Sequence, residues 1–245
     1  MRRWLKLTLV QAKLFAREPV ALFFTIFFPL AMLLLFGAIF GNQPRQNFGG
    51  YGYIDSQVPG LTAIIIGTVG LLSIPIATAT ARERQILRRF QATPLPVGTL
   101  LAADVATHFV TTLLGMGILI VAAKLVFGLR FGGSILQVLL GVSLASIAFF
   151  AIGYVLASVT KTARTAQVIG QIIFFPSMFL SGATFPLGMM PEGIQRVSQF
   201  LPMTHVVHLL QQLWFGNGWD GIAVIVLAAM AIVGVVASIR LFRWE

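Results

Sequence analysis

Cysteine is absent from this 245-residue chain, and aspartate and glutamate together number only seven. The first absence excludes disulfides, thiolate metal sites and cysteine nucleophiles, and leaves the redox compartment open. No Gly-x-x-x-x-Gly-Lys-[Ser/Thr] phosphate loop is present, and nothing pairs a nucleophile with a base or clusters metal ligands. Catalysis by this chain, a metal site and a cofactor bound by it are therefore not expected. Charge of either sign is scarce, at 10% of the residues, whereas hydrophobic residues make up 58% and the mean hydropathy is +0.92. A soluble core cannot hide that much apolar surface, but lipid can.

The formal charge of +10 would suggest nucleic acid in a soluble protein. Here the basic residues stand in short segments between apolar runs, as the positive-inside rule requires of a membrane protein, so the expected partner is the bilayer and not nucleic acid. Five runs have spanning length: 20–40, 61–81, 100–127, 135–159 and 221–241. A sixth, 165–182, is shorter and contains Pro176; roughly 20 residues are needed to cross the ~30 Å hydrocarbon layer, so it only just qualifies. The first run follows a basic stretch and lacks a small-residue cleavage site, so it reads as a retained span. No internal repeat or low-complexity segment interrupts what reads as one transmembrane domain over 1–245.

With six spans, the inner segments hold Arg2, Arg3, Lys6, Lys13, Arg17, Arg82, Arg84, Arg88, Arg89, Lys161, Arg164, Arg240 and Arg243, against Arg45, Lys124, Arg130 and Arg196 outside. Both termini are thus expected in the cytoplasm, and the chain in the cytoplasmic membrane. The stretch 183–220 joins the fifth and sixth spans on the outer side and is too apolar for a solvated loop. Pro186, Pro191 and Pro202 cut it into pieces too short to span. The sequence predicts two short helices, 191–201 and 203–215, in a re-entrant hairpin tucked into the outer leaflet, with a small extracellular cap as the alternative.

Two inner segments carry more than orientation. On a helical wheel the five basic residues of 1–18 fall within an arc of about 100°, opposite Trp4, Leu5, Leu7, Leu9, Leu14 and Phe15. That is an interfacial helix lying on the inner leaflet, ended by Pro19. The loop between the second and third spans has helical spacing over 82–92, where Ile86, Leu87 and Phe90 share one face and Arg82, Arg84, Arg88 and Arg89 the others; Thr93 and Pro94 follow, and the prolines stop it. Glu83 falls within the apolar arc. A carboxylate there is costly unless paired, so it is expected to contact a basic or donor group beneath the bundle; the alternative is that it favours its own helix amino terminus.

Within the spans, Asp104 and His108 sit at i and i+4 near the inner end of the third, with Thr111 continuing the stripe. Intramembrane ionisable residues face the bundle or a watery path; so near the headgroups, a structural pair is the favoured reading over a substrate route. Gln167 and Gln171 on the fifth span could hydrogen-bond across helices or touch substrate. His205 and His208 have a metal-like i, i+3 spacing but no third ligand nearby, so hydrogen-bonding histidines are expected. Gly141 with Ala145, and Gly67 with Gly70 and Pro75, suit close packing and kinks.

The basic Arg82-Glu-Arg segment closing on Ala92-Thr-Pro-Leu-Pro96, together with Phe179-Leu-Ser-Gly182-Ala-Thr-Phe-Pro186-Leu-Gly-Met-Met-Pro191 and Leu201-Pro-Met-Thr204-His205, resembles the permease subunits of ABC-2 type exporters, in the drug-resistance and nodulation-factor branch. The resemblance extends over the chain: interfacial helix, six spans, coupling helix, broken outer hairpin. It implies a half-transporter that pairs with a second permease copy, the same or related, and docks two copies of a cytoplasmic ATP-binding subunit through the coupling helix 82–92. ATP and Mg would then belong to the partner. The implied cargo is an amphipathic, drug-like or lipid-like molecule moved outward, with polysaccharide or sodium export as alternatives within the family. An ion-coupled secondary transporter would show internal symmetry and deep ionisable residues, and a non-transporting membrane scaffold subunit is the remaining reading.

Overall fold

The structure, a computed structural model, describes residues 23–44, 50–86 and 97–241. The expected interfacial helix over 1–18 lies outside them. Among the described residues there are helices and no strand. α1 (Phe28–Phe40) follows a π turn at Phe23–Phe27, and α2 runs without a break from Tyr53 to Glu83. α3 (Val97–Phe127), α4 (Ile135–Val159) and α5 (Ala163–Leu180) follow. One 3-10 turn at Leu187–Met189 leads to the short α6 (Glu192–Ser198), then α7 (Pro202–Phe215) and α8 (Gly221–Leu241).

Five of these segments are long and apolar enough to cross a membrane: Phe23–Phe40, Tyr53–Glu83, Ala102–Phe127, Ile135–Val159 and Gly221–Leu241. α5, with 18 residues and Pro176 inside it, is about 27 Å long and falls just short of the hydrocarbon thickness. α2 is the hub. It packs against α1, α3, α4, α5 and α7, and 89% of its most apolar window is buried, against 22% for α8. The outer helices instead turn residues such as Leu125, Ile135, Ile225 and Ile239 outward, an apolar surface that only lipid or another membrane chain can cover.

The second span begins eight residues earlier than the run 61–81 suggests, at Tyr53. Pro59, Asp55 and Gln57 read as loop in the sequence, yet each is buried within α2. Asp55 explains why. Its Oδ2 accepts from the Gly52 N–H at 2.8 Å, and its Oδ1 accepts from the Asn42 amide and the Arg130 N–H, both at 2.9 Å. Asn42 in turn donates to the Phe127 carbonyl at 3.1 Å and accepts the Asp55 N–H at 3.2 Å. One carboxylate thereby caps α2 and ties the end of α1 to the α3–α4 link. Gln57 donates to the Ala183 and Thr184 carbonyls at 2.7 and 2.9 Å, binding the chain beyond α5 to the same end.

At the middle of the hub a π turn, Val69–Ser73, interrupts the α-helical ladder. Neighbouring backbones come in close there. A Cβ added at Gly153 of α4 would run into the Gly70 carbonyl, and one added at Gly170 of α5 into the Leu71 carbonyl. Only glycine permits those crossings.

α7 does not lie on the surface of the bundle. Met203, Val206, Val207, Leu209, Leu210 and Leu213 are fully or nearly fully buried, and the helix packs against α2, α4, α5 and α8. Its start reaches the level of Gly67, which the Met203 methyl covers. Its end stays near the Asp55 side of the bundle, where Trp214 donates to the Arg130 carbonyl at 3.3 Å and Phe215 packs on Tyr51.

Removing the Asp55 carboxylate leaves the buried Gly52 N–H without its acceptor and unties the Arg130 N–H and the Asn42 amide. Asp55→Ala is expected to lower stability by about 3 kcal/mol, with Asp55→Asn intermediate, read as the thermal unfolding midpoint of the detergent-solubilised chain.

Candidate functional site

Most of the residues singled out in the sequence collect at the two ends of the hub, while Gln167 and Gln171 flank Gly170 nearer its middle. At the end opposite Asp55, α2 closes on Arg82 and Glu83. The expected helix over 82–92 therefore needs correcting at its start: these two residues form the last turn of α2, and the chain breaks after them. Arg84 and Gln85 form a turn in which Gln85 takes a φ of 54°. A positive φ on a non-glycine residue interrupts the helical ladder, so any separate helix starts no earlier than Ile86. Ile86 is exposed; Leu87, Arg88, Arg89, Phe90, Thr93 and Pro94 lie outside the described residues.

Arg82 points inward. Its two terminal nitrogens donate to the Thr160 carbonyl at 2.8 Å and the Ala157 carbonyl at 3.0 Å, so a cation caps the last turn of α4, where the helix dipole is negative. Glu83 accepts the Ala163 N–H at 3.0 Å. It stands at the carboxyl end of its own helix, so the alternative that it favours its own amino terminus is excluded. What it caps is the amino terminus of α5, alongside Thr162, which accepts from the Thr165 N–H at 3.1 Å. Two adjacent residues of α2 thus hold the end of one neighbouring helix and the beginning of the next, which satisfies backbone groups that have no partner within their helices.

One turn further into the bundle, Tyr154 of α4 donates to Asp104 Oδ2 at 2.6 Å. His108 approaches the same oxygen at 3.8 Å, too long for a hydrogen bond, and packs its buried ring near Phe150. Asp104 is thus tied across helices to a tyrosine that nothing in its apolar run singles out. Thr111 donates to the Thr107 carbonyl of its own helix at 2.9 Å. Gln167 and Gln171 are half-buried on α5, with no hydrogen-bond partner for their amides among the described residues.

At the Asp55 end, the chain after α5 turns at Gly182, whose φ is 86°. Pro186 precedes the 3-10 turn, Pro191 precedes α6 and Pro202 is the first residue of α7. The predicted pair of helices over 191–201 and 203–215 becomes a shorter α6 and an α7 that begins on its proline, whose missing N–H costs nothing at that position. Thr204 donates to the Ser198 carbonyl at 2.6 Å and His205 lies 3.0 Å from the Gln199 carbonyl, so both side chains close the α6–α7 turn. His208 faces elsewhere and bonds Asp220 at 3.0 Å; the two histidines share no ligand position. Between α7, the start of α2 and the turn at Gly182 lies an open cavity of about 560 Å³, lined among others by Tyr51, Ser56, Leu187, Gln211 and Asn217.

Asp220 lies in the link before α8. Burial raises its carboxyl, but the Ala223 N–H, His208 and the Ile222 N–H together outweigh that and hold it below the usual carboxylate range.

The profile of the ABC-2 type transporter family matches residues 3–215. The probable multidrug ABC transporter permease YbhS of Escherichia coli (strain K12) is 25% identical over 161 residues, which are 65% of this chain and 43% of that one. Nodulation protein J of Bradyrhizobium diazoefficiens is 27% identical over 226 residues, covering 84% of this chain and 86% of the relative. The inner membrane transport permease YhhJ of Escherichia coli (strain K12) is 27% identical over 190 residues, covering 76% and 51% respectively. The match therefore spans about half or less of the two Escherichia coli proteins and most of the rhizobial one.

A carboxyl held low in the folded state adds stability above its unfolded pKa, and that stability is lost as pH falls through the folded value. The stability difference between the parent and Asp220→Asn is expected to hold steady through neutral and mildly acidic pH. It should begin to shrink as pH falls into the usual carboxylate range and be gone below the lower folded value, as read from unfolding midpoints against pH.

Proposed function

The chain belongs to the ABC-2 type transporter family, and from that premise we propose that it is the membrane-spanning half of an ATP-driven exporter, moving an amphipathic, drug-like or lipid-like molecule outward. In this reading α5 is the fifth of six spans, both termini lie in the cytoplasm, and α6 with α7 forms a re-entrant hairpin on the outer side. The chain hydrolyses nothing itself. Two copies of a separate ATP-binding subunit, holding ATP and Mg, dock on the segment after Arg84, and a second permease copy completes the pathway. The names of the relatives, a multidrug permease among them, support the cargo class.

The observation that carries this reading is the clasp at the inner end of α2. Arg82 caps α4 and Glu83 caps α5, one turn before the chain leaves for the docking segment. A push on that segment reaches three helices at once, as a lever must. A hairpin that enters and leaves on one side is consistent with α7, whose 14 residues make about 21 Å, too short to cross.

An ion-coupled secondary transporter is the second reading, and Asp104 with its Tyr154 and His108 neighbours is the observation that favours it. The two separate on the energy source. With the ATP-binding subunit supplied, Leu87→Ala with Arg88→Ala is expected to lower its recovery at least tenfold while leaving the permease folded. Glu83→Gln is expected to keep the complex but to lose most of the substrate stimulation of ATP hydrolysis. An ATP-binding subunit that never co-purifies, or transport in vesicles that survives ATP depletion and collapses with the proton gradient, would overturn the proposal.

A further inference from the structure

The cavity beside α7 is a groove with a chemical bias. Thr204, Val207, His208, Gln211 and Phe215 line it from α7; their spacing of three and four residues puts them on one stripe of the helix. The opposite side of α7, with Val206, Leu209, Leu210 and Leu213, packs into the bundle, and Thr204 and Val207 at the edge of the stripe are themselves largely buried. From Thr204 to Phe215 the stripe is about 17 Å long, and Leu187, Pro186 and Gly188 form the other bank.

Apart from His208, the polar side chains in this groove are amides and hydroxyls. The Gln211 amide nitrogen reaches the Ser56 carbonyl only at 3.4 Å. Neither the Tyr51 hydroxyl nor the Asn217 side-chain amide holds a hydrogen bond among the described residues, although both line the cavity. Among the described residues no lysine, arginine, aspartate or glutamate lines it, and its histidine is already engaged by Asp220 at 3.0 Å. The packed rings of Tyr51 and Phe215, with centroids 4.5 Å apart, add an aromatic wall.

We propose that this groove is a binding site for the uncharged, hydroxyl- or amide-rich head group of an amphipath, its tail lying along Leu187, Val207 and Phe215. An anionic head would need the arginine or lysine donors that phosphate and sulfate sites use. A cationic head would need a carboxylate or an open aromatic box. The groove has the size of a small-molecule site and offers neither charge, but several unengaged neutral donors and acceptors. The inference rests on the exporter reading for the role of the site, as an outer station for cargo, and not for its occupancy.

The absence of cysteine gives a clean assay that needs no ATP-binding subunit. Asn217→Cys and, separately, Gly188→Cys, where an added side chain meets open space, each place one thiol in the groove; Trp219→Cys, exposed in the next link, places one outside it. Each chain is reconstituted in lipid nanodiscs and labelled with a maleimide in the presence of octyl glucoside, octyl sulfate or octyltrimethylammonium, all below their micellar concentrations. Octyl glucoside is expected to slow labelling of the two groove thiols at least fivefold and that of Trp219→Cys not at all, with the charged amphiphiles weaker. Adding Gln211→Leu should abolish that protection. Equal protection by all three would mean an apolar crevice only; stronger protection by a charged one, or none by octyl glucoside at either groove thiol, would equally overturn the proposal. Persistent protection with a failed ATPase assay would instead sink the exporter reading and leave the site standing.

Discussion

The structure depends on one helix being buried along most of its length. Hydrocarbon offers no hydrogen bonds, so a central helix must have its ends satisfied by the protein itself. α2 meets that condition with side chains that sequence-distant segments use as well. At one end Asp55 serves its own first turn, the end of α1 and the α3–α4 link. At the other, Arg82 and Glu83 give their hydrogen bonds away, to the end of α4 and the start of α5. The hub is thus joined to its neighbours at both rims by charge-assisted bonds, which are stronger and more directional than the apolar packing between them. Between the rims, association rests on close backbone approach, and the crossings at Gly153 and Gly170 supply it.

How much of this is legible in the sequence depends on the range over which each signal acts. Five apolar helices stand out, because a run of about twenty apolar residues matches the thickness of a bilayer and little else. Two features of α2 do not. Its first turns carry Asp55, Gln57 and Pro59, which are loop residues by composition, and the partners that make them helical and buried are Asn42, Arg130 and Ala183. The local hint is Gly52 followed three residues later by Asp55, a spacing that fits the carboxylate half of a capping box, since Gly52 has no side chain to supply the other. Its last turn resembles the start of another helix, because 82–92 keeps helical spacing across a break that shows only in the backbone of Gln85.

The polar residues show the same division. Asp104 is visible as an ionisable residue in a span, but its tyrosine lies fifty residues away in an otherwise apolar helix and has no pattern of its own. Thr204 is visible from motif resemblance, whereas Gln211 and Asn217, which line the same groove, belong to no motif. A stripe on α7 can be drawn on a helical wheel, yet which side of α7 is polar matters only once its other side is known to be buried.

The π turn at Val69–Ser73 bears on how force would pass through the hub. It lies between the two rims, where the α4 and α5 backbones press on the Gly70 and Leu71 carbonyls. A wider turn leaves carbonyls without their regular partner and so locally loosens the ladder. If α2 flexed there alone, displacement at Glu83 would be absorbed before reaching Asp55. The clasp opposes that, since α4 and α5 are fastened to α2 by hydrogen bonds at Arg82 and Glu83 and again meet it closely at the π turn. Three helices joined at two levels bend less than one, so motion at the Glu83 rim is passed on as a tilt of the group. The element with least freedom to follow is α7, whose end is held by the α3–α4 link through Trp214 and Gly132. α2 is tied to that same link through Asp55 and the Arg130 N–H, so α7 and the far end of the hub are held together at one rim, and a tilt passed along the group has to carry or strain that shared anchor.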